Sequence, residues 1–309
     1  MDSEKLENIF DRSVALNKYT TIGLGGAARY FKIVKNIDEL IKAVETARSL
    51  GIPYKVLGNG SNVLISDKFF DGLVIVNKAD SVTVDKQKSH IVAGSGVSLS
   101  RMILASAASG LSGLESLFGI PGTVGGAICV NAGAHNVSIG SFLKSATVML
   151  SSEKMINAKS EWFDFKYRSS RLKYKKDSFP PVILSATFQF QKKKPEDISK
   201  IIAQYKIWRE SHQPLGKKTT GSVFKNLSSS DKSDDSAERT AGYLLDKSGA
   251  KKLKVGNVKV SHLHANWIIN EGEGTARDAR RLIEKMRNLV QENYSVNLEE
   301  EIEYFGDWK

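Results

Sequence analysis

Cysteine is almost absent: Cys129 stands alone among 309 residues. That excludes an internal disulfide framework and points to a reducing compartment, so a cytoplasmic protein is expected. No run of 18 or more apolar residues occurs, and membrane insertion is not expected. The first eleven residues are charged and hold no apolar stretch of the kind a secretory leader needs. The common catalytic signatures are missing as well. There is no Gly-Lys-Ser/Thr phosphate loop, no Gly-x-Gly-x-x-Gly opening a helix, and no Gly-x-Ser-x-Gly elbow. Metal chemistry is equally unsupported. His262 and His264 lie two apart in 260–269, a segment that reads as a strand with both rings on one side, but no further ligand follows. Acidic residues are outnumbered, 34 against 45 basic, leaving a net charge of +11. The lysines are scattered (173–176, 192–194, 217–218, 251–254) and not interleaved with aromatics, so no nucleic-acid partner is expected.

What is present is an ordinary globular balance, 41% hydrophobic and 26% charged, over a length suited to two or three domains. Residues 27–34 read as a strand. Asn36 then caps a helix carrying Ile37, Leu40, Ile41 and Val44, which Gly51 and Pro53 end. A short strand, 54–57, runs into Gly58-Asn59-Gly60-Ser61-Asn62. Strand signals crowd after Leu73, at 73–76, 81–84, 90–93, 147–150 and 183–190, broken by one helix near 99–108. An α+β architecture is expected. The polar segment 228–240 reads as a mobile surface loop. The best helix is 275–292, where Ala279, Leu282, Ile283, Met286, Leu289 and Val290 form one core stripe behind an imperfect Thr275/Asp278 capping box.

Two glycine loops are candidates for holding phosphate. One is 58–62. The other comprises Gly119, Ile120, Pro121, Gly122, Thr123, Val124, Gly125, Gly126 and Ala127. Glycine permits positive φ and close approach, and a row of amides makes an anion nest without any charged side chain. Plain turns would explain the first loop; the second, with its fixed proline and small residues, suggests backbone pressed against something flat. Since neither follows a standard phosphate fingerprint, a dinucleotide held outside a Rossmann fold is the reading to test.

Several segments together resemble the UDP-N-acetylenolpyruvoylglucosamine reductase (MurB) family. They are Thr20-Thr21-Ile22-Gly23 with Gly25-Gly26-Ala27, then 57–67, 110–131, Tyr167-Arg168-Ser169-Ser170, 221–226, 241–249 with 260–270, and Leu298-Glu299-Glu300-Glu301. They fall in the family's order along nearly the whole chain. The resemblance implies an FAD-binding region of the vanillyl-alcohol-oxidase (PCMH) type in two subdomains, 1–77 and 78–193. A substrate domain, 194–309, would follow, with about 296–309 returning to the flavin region. It implies a monomer that binds FAD non-covalently, takes NADPH as co-substrate, and reduces a UDP-linked enolpyruvyl sugar to UDP-N-acetylmuramate in peptidoglycan synthesis. The short connection after Arg168 resembles the loop-less, type II subgroup.

By motif position the resemblance implies that Arg168 stabilises the enolate formed on hydride transfer and that Ser222 donates the quenching proton. Glu301 would face the substrate carboxylate, where it helps only as the protonated acid or through a bridging donor. Gly58 to Asn62 and Gly119 to Ala127 would cradle the FAD. Tyr167, Arg209, Gln213, Lys225, Asn226 and His264 would lie by the UDP sugar, with Lys225 and Arg209 answering the diphosphate. Leu227 stands where the family has proline and Lys252 where it has glycine, which bears on the UDP contacts. The alternatives are another FAD-dependent oxidoreductase of the same fold acting on a different substrate, and a basic nucleic-acid binder.

Overall fold

The first helix shows how the local signals are used. In α1 (Ile37–Ser49) the Asn36 side chain accepts from the Glu39 amide at 2.8 Å, and Glu39 reaches back to the Lys35 amide at 2.7 Å. Leu40, Ala43, Val44 and Ala47 form its buried stripe. The computed structural model describes residues 9–173, 178–227 and 240–308; the expected loop at 228–240 lies, apart from Thr240, outside them. The remaining α-helices among the described residues are α2 (Leu99–Ala108), α3 (Val124–Val130), α4 (Pro195–His212), α5 (Ala241–Lys247) and α6 (Ala276–Tyr294). None among the described residues is long and apolar enough to cross a membrane.

The chain forms two compact units. The first comprises residues up to Val14, Ala28–Asn59 and Asp71–Arg209; the second comprises Ala15–Ala27, Gly60–Phe70 and residues from Glu210 onward. In the first unit a four-stranded sheet has the order Asp11–Ala15, Ala27–Val34, Phe70–Asn77, Tyr54–Leu57, the last two parallel. A five-stranded antiparallel sheet follows, in the order Met155–Lys159, Leu143–Met149, Val182–Gln189, His90–Gly94, Val82–Asp85. Its central strand is buried on both faces. Val182 and Leu184 pack in one core with Leu40 and Val44 of α1, while Ala186 and Phe188 pack in another with Met102 and Ile103 of α2 and Ile128 of α3. Val182, Ile183 and Leu184 form the short continuous apolar run that a doubly covered stretch requires, and beyond them Ser185 and Thr187 alternate with buried Ala186 and Phe188. The α+β class expected from the sequence is the one observed.

In the second unit the strands Thr219–Ser222, Trp267–Asn270, Val258–Val260 and Lys254–Val255 make an antiparallel sheet. Helices α5 and α6 cover one side, with Leu244, Leu245, Leu282, Ile283 and Met286 in the core. The Thr275/Asp278 capping box forms in full, and Asp67 adds to it, its two oxygens accepting the Ala276 and Arg277 amides at 2.9 Å each. Glu303–Phe305 runs parallel to Val63–Ile65.

One reading from the sequence fails. Residues 260–269 are not a single strand: Val258–Val260 and Trp267–Asn270 pair as a hairpin around a turn. The Ser261 hydroxyl makes the turn by accepting the amides of Leu263 and His264 at 3.2 and 3.4 Å. His262 is exposed and His264 half-buried, so their two-residue spacing does not set a common face.

Candidate active site

The 58–62 loop is the best-formed ligand cradle. Its five main-chain amides find no acceptor among the described residues, though the loop is partly buried. Buried amides are nearly always paired, so an unmatched row is suited to a polyanion. Gly60 sits at φ +60, and a Cβ there would lie 2.2 Å from the Tyr19 carbonyl oxygen, so no side chain fits. Within the first unit, a Cβ at Gly58 would meet the Thr123 hydroxyl at 2.2 Å, which packs the two glycine loops together. The Asn59 side chain donates to the Pro121 carbonyl at 3.4 Å, and Lys78 Nζ donates to Asn59 Oδ1 at 3.0 Å. Lys78 thus brings an ammonium beside the loop, and no sequence pattern pointed to it.

The 119–127 loop is a different device. Gly119, Ile120, Gly122, Val124, Gly125, Gly126 and Ala127 all donate within the chain. It is therefore not a second open nest. Its glycines serve close packing, a Cβ at Gly125 falling 2.9 Å from Ser95 Cβ, and leave a small-residue surface. Arg209, 5% exposed, holds the approach to this loop: Nε donates to the Phe118 carbonyl at 2.7 Å and Nη2 to Ser116 at 2.9 Å. Burial lowers its pKa. Arg209 thus braces the glycine loop through two carbonyls. His135 lies between the rings of Tyr205 and Trp208, at 4.9 and 4.7 Å, and burial followed by the Arg209 charge lowers its pKa.

Arg168, also in the first unit, occupies a tight turn. The Lys166 and Ser169 amides each donate to the other's carbonyl, at 3.0 and 3.1 Å, leaving Tyr167 and Arg168 at the tip. Arg168 takes φ +52, a conformation that costs a non-glycine residue about 1–2 kcal/mol. Such strain collects at functional positions. Its guanidinium donates to the Gly133 carbonyl at 2.6 Å and lies 4.9 Å from the centre of the Tyr167 ring, which is itself half exposed. A Cβ at Gly133 would come within 3.0 Å of Arg168 Nη1. The turn is braced by Asn131 Nδ2, which donates to the Lys166 carbonyl at 2.9 Å, and by Lys173 Nζ, which donates to the Arg168 carbonyl at 2.9 Å.

In the second unit the segments that carry Ser222 and Glu301 run side by side. Gly221, at φ +75, and a register shift between Thr219 and Ser222 make a bulge just before the serine, which then pairs with Trp267. The chain at 299–301 then runs beside 223–225: Glu301 N donates to the Val223 carbonyl and Lys225 N to that of Glu299, both at 2.8 Å. Asn62 brackets Glu301, its side chain donating to the Glu301 carbonyl at 3.1 Å while its own carbonyl accepts the Glu303 amide at 2.9 Å. The glutamates sort by partner. Glu299 holds the nearly buried Lys225 ammonium, and Glu300 pairs with Arg287 of α6. Glu301, next in the chain, is half-buried. Trp267 stands opposite Ser222 in register, with its indole N–H buried and unmatched.

The softer candidates are placed as follows. Lys225 presents its ammonium to Glu299. Asn226 Oδ1 accepts the Ala241 amide at 3.2 Å, at the start of α5. Gln213 accepts the Leu215 amide at 2.8 Å through its carbonyl. His264 Nδ1 accepts the Asn266 amide at 3.2 Å, so the neutral ring carries its proton on Nε2. Its pKa is lowered by burial and then by Lys251 and His212, against an opposing Asp246.

Residues 28–159 match the model of an FAD binding domain, and residues 213–305 match that of the UDP-N-acetylenolpyruvoylglucosamine reductase C-terminal domain. The chain is 37% identical to the UDP-N-acetylenolpyruvoylglucosamine reductase of Caldicellulosiruptor saccharolyticus, over 99% of this chain and 95% of that one. It is 36% identical to the enzyme of that name from Chlamydia pneumoniae, over 94% and 90%. The crystal structure of the Thermus caldophilus reductase superimposes with a TM-score of 0.77 at 32% identity, covering 96% of this chain and 98% of the other.

Proposed function

The chain belongs to the UDP-N-acetylenolpyruvoylglucosamine reductase family, and from that premise we propose how its own residues carry out the reduction. It is an FAD-dependent oxidoreductase of peptidoglycan synthesis, acting on a UDP-linked enolpyruvyl sugar to give UDP-N-acetylmuramate. FAD, when bound, supplies the terminal enolpyruvyl carbon with a hydride drawn from NADPH. The protein must then answer a growing negative charge and deliver one proton.

The amides of 58–62, with Lys78 beside them, receive the FAD pyrophosphate, and the packed 119–127 loop faces the flat or ribityl part of the cofactor. Arg168 answers the substrate carboxylate, whose charge rises as the neighbouring carbon becomes an enolate carbon. A planar guanidinium suits that geometry. Interactions that strengthen as this charge develops are the ones that accelerate the step. Ser222 protonates the enolate carbon, and Glu301 shares a proton with the carboxylate or with a bridging donor. Tyr167, Gln213, Lys225, Asn226 and His264 serve the UDP sugar, Lys225 in concert with Glu299 and Asn226 by fixing the start of α5. Arg209 acts on the glycine loop. The short turn after Arg168 supports the loop-less subgroup, and the single cysteine supports a reducing, cytoplasmic compartment.

The observation that carries this reading is the pairing of 223–225 with 299–301, which sets a hydroxyl and a carboxyl on adjacent backbone. Ser222→Ala tests it in rapid-mixing experiments that follow flavin absorbance. Flavin reduction by NADPH should stay within about twofold of wild type, while reoxidation by the enolpyruvyl sugar slows by at least about 100-fold. Equal losses in both halves would remove the proton-donor role.

A further inference from the structure

We propose that Lys173 is a positioning residue for Arg168, acting through a hydrogen bond from its ammonium to the Arg168 main-chain carbonyl. Lys173 is 5% exposed, an unusual place for an ammonium, and its Nζ lies 2.9 Å from that oxygen. The bond lands on the residue of the turn that stands at φ +52. The third residue of a tight turn with positive φ is a glycine slot; an arginine there needs support from outside the turn.

The support is assembled from several directions. Asn131, buried and itself at φ +48, holds the Lys166 carbonyl on the incoming side. Ser170, just after the turn, donates to the Cys129 carbonyl at 2.6 Å, tying the outgoing side to α3. Gly133 receives the guanidinium end of Arg168. Among these described contacts Lys173 is the one that reaches the Arg168 backbone carbonyl. Its own amide donates to the Ser170 carbonyl at 3.0 Å, so the segment 170–173 folds back on the turn and brings the ammonium under it. Loss of that donor removes one anchor of the turn, so that φ can relax toward negative values and the guanidinium can leave its line to Gly133. The link is geometric, so it requires a donor of the right reach and not a positive charge.

This rests on the assignment of Arg168 to the substrate carboxylate, and the experiment separates the two. Flavin reduction by NADPH, flavin reoxidation by the enolpyruvyl sugar, and melting temperature are measured for Lys173→Met, Lys173→Gln and Arg168→Lys. A misplacement of about 1 Å at a reacting group can cost about 100-fold, so K173M should slow reoxidation by about 10- to 100-fold, with flavin reduction within about twofold. K173Q, a neutral amide donor one bond shorter than the lysine, should restore reoxidation to within about fivefold of wild type. If K173M does not fold, K173Q decides alone: reoxidation near wild type supports the donor role, and a loss of 10-fold or more with normal flavin reduction overturns it. K173M reoxidising at the wild-type rate, or losing both half-reactions equally, also overturns it. If R168K reoxidises normally, the Arg168 assignment fails instead.

Discussion

Gly60→Ala isolates what the 58–62 loop does. Two separate costs are written into that position. The backbone stands at φ +60, which an alanine occupies at about 1–2 kcal/mol. The added Cβ would also sit 2.2 Å from the Tyr19 carbonyl oxygen and 2.9 Å from Thr20 Cα. Carbon and oxygen approach no closer than about 3.3 Å even in favourable contacts, so the two segments must part by about 1 Å. Overpacking of this kind costs about 1–3 kcal/mol, and here it falls on main chain that cannot rotate aside. The first bond to lengthen would be Thr21 N to the Gly60 carbonyl, now 3.1 Å. If the segments part, the nest opens and FAD affinity should fall at least about tenfold, since each 1.4 kcal/mol is a factor of ten. Gly51→Ala is the control. It has a similar φ of +65, but a Cβ there meets nothing within 4 Å. G51A should lower the melting temperature slightly and leave FAD affinity unchanged. Titration of apoprotein with FAD, read by flavin fluorescence, makes the comparison. A G60A protein that binds FAD as tightly as G51A would refute the account of the loop.

Two further outcomes can be checked by unfolding measurements. Asp67→Ala removes both acceptors at the start of α6 while leaving the Thr275/Asp278 box, and should cost about 1–2 kcal/mol in urea unfolding; a loss under about 0.3 kcal/mol would mean the box alone suffices. His264 has a folded-state pKa below its ordinary value, so the unfolded chain takes up its proton first. Its contribution is complete above about pH 6.5 and is lost as pH falls through that value toward the folded pKa. His135 works in the same direction. His264→Asn, whose side-chain oxygen can still accept the Asn266 amide, should flatten the stability profile below about pH 6.5; an unchanged slope would assign the acid sensitivity elsewhere.

Local order was legible where local chemistry decides it. The strand at 27–34, the cap at Asn36 and the capping box at Thr275 all appear as read, because each depends on neighbours within one or two turns of chain. The strand expected across 260–269 failed for an equally local reason, since Ser261 offered the backbone a turn that apolar patterning does not register. What could not be read was how distant segments answer one another. Arg209 looked like a free cation for a diphosphate, yet its partners are carbonyls 91 and 93 residues earlier. Asp67 looked like part of a loop motif, yet it caps a helix more than 200 residues away.

The same distinction separates the two kinds of glycine loop. In sequence, 58–62 and 119–127 are alike in being glycine-rich, and both were expected to offer amides. The structure shows that glycine serves two opposed ends. In 119–127 the missing side chains let the backbone approach Ser95, Val97 and Thr123 and use its donors internally. In 58–62 they let the chain lie against Tyr19 and Thr20 while its donors stay unmatched. A phosphate site therefore follows from the amides a loop leaves unpaired, and glycine content alone does not predict that number. For this chain it makes the first loop, the weaker of the two in sequence, the one on which tight FAD binding should depend.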